Sequence, residues 1–462
     1  MKMKVTANTR NNNSKIMKYI TSMIISILFA VSASAQEQVP NRNERIYTLS
    51  ELWKELEYNF AFPENLREAN LDSLYQAYLP VVEQAEDPYD YYRALSAFMA
   101  RFNEPHTRII PPQKAPYDMP PIVTSNVGDR VYVKNISTEF LEQIPLHSEI
   151  IAVDQIPVMQ FLESEIYPYI AAANPRWKRD KAITEMFYGR PDSTVEVTIV
   201  TPKGKTNKVT LKRDYLAQQD KTIMADDTPI PSLDVQYLKD GIGYLHLTTC
   251  VKSEISNIEN TFFANLDQLL KCKGLIVDVR GNRGGTDQAW YMLAYVSMPG
   301  ETFGHNGKWW TKKHIAEYKS AGMDYEPYKD YYEGTVMEEV QYPPYKNNVP
   351  DSLRLKQPMV ILSGQYVGSA AEDYVEVMKE NHRATIVGEP TVGCMSGPTV
   401  INLPGGYSAL ICVKSYVPED GSNLLKTGIL PDIEVKQDFD RYMKGHDDQL
   451  AAAIKFLKEQ MK

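Results

Sequence analysis

The segment "SGQYVGSAAEDYVEVMKENHRATIVGEPT", Ser363 to Thr391, places a serine where chemistry could be done. Ser369 opens the run Ser-Ala-Ala-Glu, a capping box. Its oxygen can accept from the backbone N–H of Glu372 while Glu372 reaches back. The same serine follows the apolar stretch "PMVILSG" and precedes helical patterning. A strand–turn–helix placement exposes a side chain at the end of a sheet, as nucleophile elbows do. Cap and nucleophile are compatible roles. The N-terminus of the helix also favours developing negative charge.

A serine nucleophile needs a base. Of seven histidines, His106 stands out because "NEPHT" lies at a junction between two kinds of patterning. Sites favour such junctions. The second candidate element is "LIVDVRGNRGG", an apolar strand running into Gly281, Gly284 and Gly285. Backbone N–H groups of such a turn can form an oxyanion hole. A phosphate cradle fits poorly, since the G-K-[ST] ending of a P-loop is missing.

The four cysteines, Cys250, Cys272, Cys394 and Cys412, contain no C-x-x-C pair and no Cys/His cluster of zinc spacing. They do not make a disulfide framework. Net charge is −9, which argues against a nucleic-acid scaffold. A 43% hydrophobic content over 462 residues implies real cores, and more than one domain.

The elements that must position these residues fall into blocks. Lys15 and Lys18, the apolar run "YITSMIISILFAV" and "SASA" read as a signal peptide over 1–35, cleaved after about Ala35. That run is too short to span a bilayer comfortably. No stable membrane span is expected after cleavage, so the chain is expected to be exported, periplasmic or extracellular. "TLSELWKELEYNF" carries helical periodicity, with Thr48 and Glu51 as its capping box, and "DPYDYYRALSAFMARF" repeats the pattern. Residues 43–112 are therefore expected to be a helical N-terminal domain. From 113 to 216 the alternation in "DRVYVKNI", the short strand "SEIIAVDQIPV" and the pair "STVEVTIVTPKGKTNKVTLKR" predict a β-rich module.

Residues 229–445 alternate strands ("IGYLHL", "KGLIVDV", "PMVILSG", "ATIVGE", "SALICVKSYV") with helices, as in an α/β domain with a mainly parallel or mixed sheet. Residues 300–350 break that rhythm. They are rich in aromatics, from Trp309 and Trp310 through Tyr318, Tyr325, Tyr328, Tyr331 and Tyr332 to Tyr342 and Tyr345, and read as an irregular insertion. Residues 446–462 predict a C-terminal helix.

In this order, "NEPHT", "SEIIAVDQIPV", "LIVDVRGNRGG", "GSAAED", "RATIVGEPTVG" and "GILPDIEV" resemble the tail-specific, or carboxyl-terminal-processing, serine peptidases. The likeness covers residues 45–436. It implies an α+β multidomain fold: a helical N-terminal cap, a PDZ-like β module and an α/β, crotonase-like catalytic domain. Many members use a Ser–Lys dyad. Here Cys394 stands at the lysine position, and no lysine occurs between Lys379 and Lys414. The likeness is therefore to the tricorn-like branch, whose base is a histidine in a motif such as D-G-H-T.

By that resemblance Ser369 is the nucleophile and His106 the base. Gly284 or Gly285, with Ala370, hold the oxyanion. Asn423 orients His106, with Glu419 and Asp420 as nearby substitutes. The expected partner is a peptide or polypeptide substrate, with no nucleic acid, metal or organic cofactor required. "LHSEI" lacks the glycine and aspartate usual in the PDZ segment, so this module is either a tail binder or a spacer. The rival reading is a non-catalytic peptide- or hydrophobic-ligand-binding protein on the same fold.

Overall fold

The computed structural model describes residues 39–312 and 337–462. The expected signal peptide lies outside them, as do Tyr318, Tyr325, Tyr328, Tyr331 and Tyr332. Among the described residues no helix is long and apolar enough to cross a membrane.

The described residues open with helices α1 (Arg42–Asn59), α2 (Leu71–Gln84) and α3 (Pro88–Ala100), with a shorter helix, Pro63–Ala69, between the first two. Helix α1 starts earlier than the Thr48–Glu51 box implies. Its cap is Asn41, whose side chain accepts from Asn43 N and Glu44 N, while Glu44 answers with a bond to Asn41 N. The two extra turns hold because buried Arg45 donates to the carbonyls of Pro40 and Glu83. Thr48 is left inside the helix, bonded to the Glu44 carbonyl. The apolar faces of these helices do not close on themselves. Leu49, Leu52, Leu95 and Phe98 share one core with Tyr407, Ala409, Ile411 and Cys412, some three hundred residues later.

Strand β1 (Arg108–Ile110) follows α3 after one short loop, and that loop carries His106. Next comes an antiparallel sheet: β2 (Ile122–Val127), β3 (Arg130–Ile136), β4 (Glu149–Val153), β5 (Thr194–Val200) and β6 (Thr206–Lys212), in that spatial order, with helix α4 (Pro175–Glu185) across it. The hairpin from β5 to β6 is the expected pair around "PKGK". At the position of the missing glycine in "LHSEI", His147 keeps a left-handed backbone, φ 64°. The loop survives the substitution at the cost of some strain.

The central sheet contains β7 (Leu233–Leu238), β8 (Ile242–Leu247) and, after helix α5 (Ile255–Leu269), β9 (Gly274–Asp278). After helix α6 (Gln288–Ser297) the chain leaves this sheet for β10 (Lys308–Lys312) and β11 (Met337–Val340). It returns as β12 (Met359–Ser363), helix α7 (Ala370–Glu380) and β13 (Thr385–Gly388). Then come β14 (Ser396–Asn402), β15 (Ser408–Val417), β16 (Ile433–Glu434) and helix α8 (Asp448–Gln460). The central order is β16-β13-β12-β9-β8-β7, parallel except for β7 on β8.

The strands "GLIVD" and "MVILS" are apolar throughout because both faces are covered. Leu275, Val277, Met359 and Ile361 face the core under α5, α6 and α7. Ile276, Val360 and Leu362 face Leu457 and Ala453 of α8. A second sheet, β1-β15-β10-β11 with β14 also on β15, is built from segments far apart in sequence. Part of the aromatic stretch is thus regular, not an irregular insertion. Trp309 lies opposite Tyr416, with ring centroids 5.1 Å apart. No local period announces β10, because its partner strand is about a hundred residues away.

Candidate active site

Strand β12 ends at Ser363, and the chain turns sharply before α7. Ser369 sits in that turn at φ 55°, ψ −130°, a conformation that costs a non-glycine residue on the order of 1–3 kcal/mol. Its surroundings hold it there. The Ser369 N–H donates to Glu372 Oε2 at 3.0 Å, the reciprocal half of the box anticipated from sequence. The Ser369 carbonyl accepts from the amides of Glu372 and Asp373. Glu372 is fully buried and takes three further bonds, from Thr391 Oγ1 (2.5 Å), Gly393 N (2.7 Å) and Cys394 N (2.9 Å). One carboxylate therefore ties the serine turn to the loop after β13. Helix α4 of the antiparallel module grips the same loop from outside, with Asn174 Nδ2 on Val392 O and Arg176 Nη1 on Pro390 O.

The glycine run after β9 packs directly on this turn. A side chain on Gly284 would place its Cβ 2.5 Å from Gly368 O and 2.7 Å from Ser369 Cβ, at φ 90°. Only glycine permits that approach. Gly284 N–H is already committed to Asn282 Oδ1 at 2.9 Å, so it is no longer a free donor for an oxyanion. Gly285 pairs in parallel with Cys250, whose bonds run to Gly284 O and from Thr286 N. That pattern turns the Gly285 N–H away from Cys250. Ala370 is the first residue of α7, where an amide has no acceptor within its own helix. Gly285 and Ala370 are the better-placed donors.

His106 is brought in by the second sheet. β1 pairs antiparallel with β15, Arg108 opposite Leu410, and β14 pairs with β15 on the other side. Three remote segments meet there. His106 Nδ1 lies 3.0 Å from Ser396 Oγ at the start of β14 and 3.6 Å from Glu104 Oε1. Ser396 Oγ donates to Glu104 Oε1 at 3.0 Å, and Cys412 Sγ of β15 donates to Ser396 Oγ at 3.2 Å. Glu104 is wholly buried, and its other oxygen accepts from Thr107 N and Thr107 Oγ1, both at 2.7 Å.

Burial alone would raise the Glu104 carboxyl. Bonding to His106 and the charge of that ring, with Cys412 and Thr107, instead hold it down at about 2. An ionised Glu104 only accepts, and the single Ser396 proton goes to it. His106 Nδ1 must then donate to Ser396, which leaves Nε2 with its lone pair. That tautomer is the one a general base needs.

The sequence expectations fare unevenly. Asn423 does not orient His106 here: its side chain caps the short helix Leu424–Thr427, accepting from Lys426 N at 3.2 Å. Asp420 is likewise taken up by Ser422 N, and Glu419 lies near Glu380, the last residue of α7, whose carboxyl it helps push up. The carboxylate beside His106 is Glu104, two residues earlier in the quoted "NEPHT". An acid that close in sequence was a signal, but it reads equally well as a solvated turn residue. Ser396 and Cys412 gave no signal at all.

Ser369 and His106 are linked through residues 394–396. Ser369 N lies 3.2 Å from Cys394 Sγ, Ser396 N donates to Cys394 O at 2.9 Å, and Ser396 Oγ meets His106. No direct hydrogen bond joins the two side chains among the described residues. Such bonds often tighten only with substrate bound.

Cys394, at the position of a lysine base, is buried. Burial, with the charges of Glu372 and Glu104, pushes its thiol well above the ordinary range. A protonated thiol cannot take the proton of a serine. Cys394→Ala is expected to keep peptidase activity within a few-fold, measured as kcat/KM on a cleaved peptide. A loss of roughly a thousandfold, the scale of removing a principal catalytic group, would show that the base is not His106.

Residues 241–435, which carry five of the six strands of the central sheet, the glycine run and the Ser369 turn, match the profile of Peptidase family S41. Over that stretch the chain is similar to this family. It is a serine-type peptidase, and its relatives agree. A carboxyl-terminal-processing protease of Picosynechococcus is 26% identical over 364 residues, covering 75% of this chain and 73% of the relative. That of Synechocystis is 22% identical over 387 residues, covering 79% and 76%. Among solved structures, mature CPAF complexed with lactacystin superposes with a TM-score of 0.66 at 16% identity, over 91% of this chain and 98% of that one. The mixed α+β architecture of this chain is thus shared along nearly its whole described length.

Proposed function

We propose that this S41 peptidase hydrolyses peptide bonds through an acyl-enzyme, with Ser369 as nucleophile and His106 as base. Ser369 Oγ attacks the scissile carbonyl as His106 Nε2 takes its proton. The same nitrogen then gives that proton to the leaving amine. The amides of Gly285 and Ala370, at the positive end of α7, bind the oxyanion. Glu104, through Ser396, holds the His106 tautomer and stabilises the imidazolium. The observation that carries this reading is the chain Glu104–Ser396–His106, built around a fully buried ionised carboxylate.

The substrate is a polypeptide. The antiparallel module over 113–216 is read as PDZ-like, able to take a peptide tail by strand addition. It stands between a helical cap over 43–112 and a catalytic domain over 229–445 that ends in the helix of 446–462. The protein is proposed to work outside the cytoplasm after loss of residues 1–35. N-terminal sequencing of exported material should then begin near Gln36; retention of "IISILFAV" would refute export by cleavage. The peptidase reading is tested by incubating the mature chain with a peptide library, and separately with a fluorophosphonate probe. Cleavage products and a label on Ser369 are expected. A chain that neither cleaves nor labels would overturn it.

A further inference from the structure

The three groups around Ser396 Oγ also make a donor set whose third member, Cys412, transfers no proton in the peptidase steps. A nitrogen of His106, a carboxylate oxygen of Glu104 and Cys412 Sγ all lie within 4.8 Å of one another. Nδ1 is the nitrogen that faces Glu104, at 3.6 Å. Imidazole, carboxylate and thiolate are the ligands of a zinc-type ion. Tetrahedral bonds of about 2.0–2.3 Å separate neighbouring ligands by about 3.3–3.8 Å, so the His106–Glu104 spacing already fits. Ser396 Oγ stands 3.0 Å from His106 Nδ1, 3.0 Å from Glu104 Oε1 and 3.2 Å from Cys412 Sγ. Its hydroxyl can serve as a fourth ligand or swing aside for water. The His106 side chain is 13% exposed while Glu104 is closed off, so an ion can enter from the histidine side.

We propose that a zinc-class divalent ion binds His106 Nδ1, Glu104 and Cys412 and reversibly inhibits this peptidase. The inhibition, though not the binding, rests on the reading of His106 as base. On binding, Cys412 gives up its thiol proton to solvent and its sulfur bonds the metal. The imidazole keeps one proton, which moves from Nδ1 to Nε2 as the metal takes Nδ1. Nε2 then carries N–H and cannot accept the proton of Ser369. Cys412 neither takes nor gives a proton in peptide cleavage, so its thiol can serve the metal without any catalytic step passing through it. Magnesium and calcium, which prefer an all-oxygen shell, should not bind.

The experiment uses the mature chain stripped of metal. Zinc chloride is titrated into a peptide-cleavage assay, and cobalt chloride into the same protein followed by its thiolate-to-cobalt absorption. Zinc should inhibit, EDTA should restore activity, and magnesium should do neither. In Cys412→Ala the inhibitory zinc concentration should rise roughly tenfold or more, at least the scale on which even outer-shell partners change metal affinity. That variant's own metal-free activity is the reference. The cobalt–thiolate absorption should persist in Ser369→Ala and in Cys394→Ala but vanish in Cys412→Ala. Should Cys412→Ala fold poorly, Cys412→Ser keeps the size of the side chain while removing the soft ligand. Equal zinc sensitivity in parent and Cys412 variants, or absence of the thiolate absorption from the parent, overturns the proposal. A chain without peptidase activity that still shows the Cys412-dependent absorption keeps the metal site and refutes the catalytic reading instead.

Discussion

Replacing Ser369 with aspartate is expected to abolish peptide cleavage while leaving a folded protein, and this separates the two roles of the residue. Aspartate caps a helix about as well as serine, whereas alanine costs on the order of 1 kcal/mol. If Ser369 only capped α7, the aspartate variant would keep both stability and activity. As nucleophile, its loss in either variant should lower kcat/KM by roughly a thousandfold or more. Repulsion between a new carboxylate and Glu372 or Asp373 acts against the stability gain, so activity is the deciding measurement. A Ser369→Asp protein that still cleaves a peptide cut by the parent would sink the mechanism.

Glu104→Gln is expected to be the most damaging conservative change away from Ser369 and His106. The glutamine fills the same space. It can still accept from Thr107 with its oxygen while turning its NH2 toward Ser396 and His106. Ser396 Oγ would then accept from the amide and direct its own proton at His106 Nδ1. The imidazole would hold its proton on Nε2, the tautomer that cannot act as base. The loss of kcat should approach ~10⁴, the scale seen when the analogous carboxylate of a serine triad becomes an amide. Thermal unfolding should show a folded variant. Ser396→Ala should cost less, because Glu104 lies close enough to His106 for the imidazole to turn to it directly. Full activity in Glu104→Gln would mean that another group orients His106. Asn423→Ala, by contrast, should weaken only the helix it caps, with little change in kcat.

Much of the catalytic half was legible in the amino-acid order because its signals are local. "KGLIVDV" and "PMVILSG" are apolar without alternation, which only strands covered on both faces tolerate, and α8 supplies the second cover. Ser369 stands out because a serine between such a strand and a helix start has few other places to point. Gly284 stands out for a different reason from the oxyanion role expected of it: close approach of two backbones leaves no room for a side chain, and its own N–H is taken by Asn282. The cap of α1 was misplaced by two turns, since Thr48–Glu51 satisfies the pattern as well as Asn41–Glu44 does. Choosing between them took the long-range bonds of Arg45.

The surroundings of His106 were decided by tertiary structure. Ser396 lies 290 residues from His106, and Cys412 lies 305 residues from Thr107; both distances close only because β1 and β14 pair with opposite edges of β15. Pairing of that kind depends on which strand edges remain free once the central sheet has formed, and no local pattern records it. A resemblance to relatives pointed to the segment around Asn423 for the orienting group. Local chemistry made that asparagine a helix cap, and Glu104 reached the histidine from its own loop. Burial then made the difference between the two acids' fates. Glu104, sealed under the histidine with Thr107 and Ser396 as donors, stays ionised where it can fix a tautomer. Glu419, in the turn after β15, lies instead near Glu380 at the C-terminal end of α7. Residue type and spacing pointed to Ser369 and His106 as candidates; the folding of one sheet across the chain placed the Glu104 carboxylate beside that histidine.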